Sequence, residues 1–229
     1  MADLSPYLDP AAAGRWDEYV RLHRQGRRKE SFAALDGFVA ATRDYSEARK
    51  ERLVESLCRQ TVDVGRDDLL RQPLLTELIF PQLRLARDAR RPLAAKRIAK
   101  LRDRIVGLRG GLKSLGLEAL RIDDLLREAI EVDPSDAEAR TLLIEDLRYW
   151  LDYYVHEVPS GVLAKPEDFR QDLGEFEQLV DSAGRSPEFA EQLVGWRFHC
   201  HAWADYCSRR PRFSDYPDYL VKAGRTDLG

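Results

Sequence analysis

Residues 122–139 read IDDLLREAIEVDPSDAEA, and this stretch decides the fold. Its first part carries helical apolar spacing, Asp133-Pro134-Ser135-Asp136 supplies a turn and cap, and Ala137 opens the next helix. Two helices joined in this way cannot bury their apolar faces alone, so the hairpin must stack on neighbours. The surrounding chain is therefore expected to be helical too.

Toward the N-terminus, Trp16, Tyr19, Val20 and His23 line one side of a predicted helix over 12–25. Phe32, Leu35, Phe38 and Val39 do the same over 30–42. Gly26 separates the two, at a turn that needs a left-handed backbone. Ser46 is placed as the N-cap of a third helix over 46–64, carrying Leu53, Val54, Leu57 and Val62. A fourth begins near Gln72-Pro73 and contains Pro81, which removes a helical donor and should kink or split it. The fifth, over 92–108, bears Ala94, Ile98, Leu101, Ile105 and Leu108 as an apolar stripe. Gly110-Gly111 ends it and marks a hinge.

Helices six and seven cover 117–132 and 137–156, and an eighth covers 166–183. A ninth over 187–208 repeats Phe189, Leu193, Trp196, Cys200, Trp203 and Cys207 at helical spacing. The tail PRFSDYPDYLVKAGRTDLG carries prolines and is expected to be extended, with its tyrosines docked on the body.

Two blocks resemble tetratricopeptide repeats. In YVRLHRQGRRKESFAALDGFVAATRDYSEA, residues 19–48, Gly26 holds the helix–helix turn, and Ser31 and Ala34 take the crowded small positions. Thr42 stands there in place of the usual proline region. In 122–139, Ala129 and Ala137 match the small positions and Asp133-Pro134 the turn. The resemblance implies an all-α fold of about nine helices in stacked antiparallel hairpins, and it says nothing of a ligand. Residues 1–110 hold the N-terminal hairpins with the basic fifth helix, and 111–229 the C-terminal hairpins and tail, as one continuous stack.

A charged share of 34%, against roughly 25% in an average domain, suits exposed helix faces. No run of about 18 apolar residues exists, so no membrane helix is expected. The start, MADLSPYLDPAAAGRW, has no basic region leading into an apolar core, which argues against a secretory signal and for a cytoplasmic protein. Cys200 and Cys207 lie about 10 Å apart along one helix, too far for a disulfide, and Cys58 leaves the count odd.

Charge is unevenly spread. Residues 84–113 carry eleven Lys and Arg against Asp88 and Asp103, a net of +9 that leaves −12 for the rest of a chain of net −3. Arg87, Arg91, Arg97 and Lys100 form a basic ridge that suits an acidic partner or nucleic acid. The acidic total and the absence of interleaved aromatics disfavour nucleic acid. The acidic helices between Glu118 and Glu191 offer internal neutralisation as the competing account.

Catalytic motifs are missing. Ser160 in VPSGV lacks the glycine of a nucleophile elbow, and LRGGLKSLG lacks the spacing of a phosphate loop. His156, Glu157 and His199 are the candidates for a metal-dependent enzyme, although HEVPS lacks a second histidine. His156 is otherwise expected to pair with Asp152. The seventh helix ends in an aromatic, acidic cluster in which Tyr149, Tyr153, His156 and Glu157 are candidates for partner binding. The expected function is a non-catalytic adaptor or bacterial immunity-type protein that needs no cofactor. It would hold another protein through the basic ridge and this cluster.

Overall fold

The computed structural model describes residues 4–106, 121–158 and 160–225. Among them the protein is all-helical, without a strand, and its helices pack as hairpin pairs. The chain divides into two compact units, 1–136 and 137–229. The expected hinge at Gly110-Gly111 lies outside the described residues.

In the first unit, α1 (Pro10–Arg24) pairs with α2 (Arg28–Thr42). Asp9 starts α1 by accepting the Ala12 N–H at 2.9 Å, and Pro10 occupies the first turn, where no donor is required. Gly26 reverses the chain at φ +70°, a conformation that a side chain would strain. Trp16, Tyr19 and Val20 then meet Leu35, Phe38 and Val39, with the Trp16 and Phe38 rings 5.1 Å apart. Each of these apolar side chains, once buried, contributes about 1.5–3 kcal/mol.

Leu53, Val54 and Leu57 are buried on α3 (Glu47–Gln60). Ser46 takes the N-cap backbone position, but its hydroxyl makes no capping bond. The helix stops short of the expected end because Thr61 leaves the helical backbone, its hydroxyl donating to the Leu57 carbonyl at 2.7 Å. The fourth helix is not broken at Pro81: helical backbone runs on from Leu74 to Asp88, and the proline is accommodated by a local change of pitch. A π-turn over Leu75–Ile79 precedes α4 (Phe80–Asp88), and the Phe80 N–H reaches the Leu75 carbonyl five residues back. Pro81 falls in the first turn of α4, where its missing donor costs nothing. Next, α5 (Ala94–Val106) packs between α4 and α6 (Ile122–Val132), burying Ala94, Ile98 and Leu101.

In the second unit, α7 (Ala137–Val155) forms a hairpin with α8 (Pro166–Ser182), and α9 (Ala190–Arg209) packs on both. Leu143, Ile144, Leu147, Leu151 and Tyr154 turn inward from α7 toward Phe169, Leu173, Phe176 and Val180. Tyr154 donates its hydroxyl to Asp172 at 2.7 Å, which satisfies both polar groups inside the pair. The seam starts at Phe189, just before α9, and runs along the helix through Cys200, after which Ala202 and Tyr206 carry it. Trp203 is half-exposed and donates its indole N–H to the Ala164 carbonyl at 2.8 Å.

The tail corrects one expectation. It folds as α10 (Tyr216–Lys222) instead of running extended. Asp215 caps this helix through the Asp218 N–H at 2.8 Å, and Pro217 sits in its first turn. The docked tyrosines supply the driving force: Tyr216 and Tyr219 are almost fully buried, and the Tyr219 hydroxyl donates to Asp205 on α9 at 2.7 Å. No helix of the described residues is long and apolar enough to cross a membrane.

Candidate functional site

Helical periodicity gives α7 two faces. The inner one is the apolar stripe described above. The outer one exposes Glu145, Arg148, Tyr149, Asp152 and Tyr153 at steps of one, three and four residues, and the exposed His156 and Glu157 follow in the turn after the helix. Tyr149 is 60% exposed and Tyr153 42%. Large aromatics standing this far into water are unusual unless something covers them.

These rings form a ladder. Tyr149 meets Trp150 edge-on at 5.6 Å, Trp150 meets Tyr153 edge-on at 5.7 Å, and Tyr153 lies 4.9 Å from the His156 ring. His156 is locked at the end of α7 by its Nδ1 against the Tyr153 carbonyl at 2.7 Å, and its Nε2 lies 2.9 Å from Glu157. The expected His156–Asp152 pair is therefore not made, because Asp152 accepts from Arg148 at 3.3 Å. Glu145, Asp152 and Glu157 flank the strip as exposed carboxylates, and residues 137–183 as a whole hold eleven Asp and Glu against four Lys and Arg, a net of −7.

The basic ridge is different. Arg97 belongs to the interior, with a side chain only 3% exposed. It donates to Asp63 at 3.0 and 2.7 Å and also to Glu55. Burial works against its charge, but the hydrogen bonds to Asp63 and Glu55 outweigh that and raise its pKa, while lowering that of Glu55. Arg97 is thus corrected from a ridge residue to a core ion pair. Arg87 is half-buried and grips Glu128 at 2.7–3.0 Å, Arg91 pairs with Glu51, and Arg90 donates to Glu131 at 2.6 Å. Lys96 is sealed against Asp136 at 2.7 Å, and Lys100 is half-buried. Much of the positive field is thereby answered within the first unit, by α3 and the turn after it as well as by the acidic α6.

The catalytic candidates do not converge. His199 faces the Tyr216 hydroxyl at 3.4 Å, whereas His156 contacts Glu157. Among the described residues, no three His, Cys, Asp or Glu side chains gather as a metal cluster. Burial pushes the Cys58 thiol up to about 12 and raises Cys200 and Cys207, and all three cysteines are unbridged. Raised thiols are poor nucleophiles at neutral pH.

Sequence reasoning found the tyrosines but missed that Glu145 and Asp152 share their face. The i, i+4 spacing from Glu145 to Tyr149 and from Arg148 to Asp152 was the available signal. No family model matches the chain, and neither the curated proteins nor the solved structures contain a match.

Proposed function

We propose that this protein is a non-catalytic protein-interaction module whose working surface is the outer face of α7. Its partner is a basic protein segment that lays arginine or lysine side chains over the Tyr149–Trp150–Tyr153–His156 ladder. The single observation carrying this reading is an exposed aromatic strip on a hairpin of net −7. Aromatic faces attract cations, by about 0.5–1 kcal/mol each at exposed sites. The surrounding carboxylates steer a positive chain toward them and disfavour an acidic one. The basic segment is given no part in this reading, since Arg87, Arg91 and Arg97 already face carboxylates of their own unit.

The experiment compares wild-type protein with a Tyr149→Ala/Tyr153→Ala variant. Both rings are exposed, so the variant should keep its stability to within about 0.5 kcal/mol while losing capture of its partner from the source cells. Equal capture by both proteins would remove α7 from the account.

A further inference from the structure

A second site lies in the first unit, far in character from the acidic face of α7. Tyr19, His23, Gly26, Arg28, Phe32 and Arg71 border a cavity of about 420 Å³. That volume falls within the range of small-molecule sites. The walls are fixed. Tyr19 donates its hydroxyl to the Leu69 carbonyl at 2.7 Å, its ring lies 5.7 Å from that of His23, and the His23 Nε2 stands 3.6 Å from Asp68. Gly26 leaves the turn without a side chain, and a Cβ there would meet only open space.

Two arginines border this cavity, and Arg71 is the half-buried one. Arg71 is half-buried, yet no carboxylate among the described side chains lies within 4.0 Å of its guanidinium. Arg28 also lacks a carboxylate partner and instead lies 5.9 Å above the Phe32 ring. Elsewhere in the unit, Arg87, Arg90, Arg91 and Arg97 all meet Asp or Glu. A half-buried guanidinium bears a desolvation cost that an anion would offset.

We infer that this cavity binds a phosphate monoester carried on a planar ring. Two guanidinium groups on one lining match the charge of a phosphate dianion, which a single carboxylate would only half neutralise. Phe32, half-buried on the wall, supplies an apolar ring for the planar group. The space is several times what a phosphate alone fills, so the ring moiety accounts for the remainder.

Calorimetric titration of the full chain at low salt tests this with adenosine monophosphate, adenosine, inorganic phosphate and benzoate as probes. The monophosphate is expected to bind tightest, with adenosine and phosphate each weaker by about tenfold or more. Arg71→Ala should weaken it by about tenfold and Arg71→Lys by less, because lysine restores charge without the fork. Arg71 has no ion pair to lose, and circular dichroism checks that the variant is folded. Arg28→Gln, at an exposed position, gives an independent weakening. Failure of the monophosphate to bind, or unchanged binding by both the Arg71→Ala and Arg28→Gln variants, overturns the site. Benzoate or inorganic phosphate binding as tightly as the monophosphate overturns the ligand class.

Discussion

Arg97 donates to Asp63 through both Nε and Nη2, at 3.0 and 2.7 Å, from a side chain that is 3% exposed. The pair joins α5 to the turn after α3, across 34 residues of sequence. It converts the most basic part of the chain from a docking ridge into a structural tie.

Replacing Arg97 should therefore act on stability. Arg97→Met leaves Asp63 and Glu55 without their shared cation and should cost about 3 kcal/mol, at the low end for a broken buried pair because both carboxylates keep some water. Arg97→Glu should cost more, since it adds a third negative charge. Urea midpoints with an unchanged denaturant slope measure both. A glutamate variant as stable as wild type would place Arg97 outside the core.

Arg90 offers the opposite case. It closes the turn after α4 at φ +51°, where a side chain is strained and glycine is not. Its ion pair with Glu131 is exposed on both sides and contributes little. Arg90→Gly should raise stability by up to about 1 kcal/mol. A lower urea midpoint in this variant would show that the Glu131 contact outweighs the strain.

His199 sets a dependence on acidity. Burial holds its imidazole below the usual value of 6.5 in the folded protein. As pH falls, the unfolded chain takes the proton first, so the stabilising contribution is complete above about 6.5 and is lost as pH drops toward the depressed folded value. Urea midpoints at pH 7.5 and 5.5 should separate in wild type and separate less in His199→Gln. Equal separations would exclude this histidine as a source of the acid sensitivity.

The helices were legible where local pattern dominates. Gly26, Pro81 and the inward residues of α1, α2, α3 and α5 each carry a signal within a few positions of their own. The α9 seam was readable as far as Cys200. Beyond it, Tyr206 is buried because α10 packs there, and the helical state of α10 depends on Tyr216 and Tyr219 finding α9. A proline-bearing tail gives no local sign of that rescue. The fate of the basic ridge was hidden for the same reason, since Glu51, Glu55, Asp63, Glu128 and Glu131 answer it from 34 to 42 residues away. The tyrosines of α7 were visible as a cluster, but only the packing of Leu147, Leu151 and Tyr154 against α8 decides which rings face water.

Titration of a synthetic peptide of alternating arginine and leucine into the full chain tests the role of α7 most directly. The ladder predicts saturable binding that weakens with added salt. It should weaken by a further tenfold or so in Tyr149→Ala/Tyr153→Ala, as two lost cation–aromatic contacts imply. No binding by wild type at low salt, or the same affinity in the variant lacking both rings, would contradict a partner surface on α7.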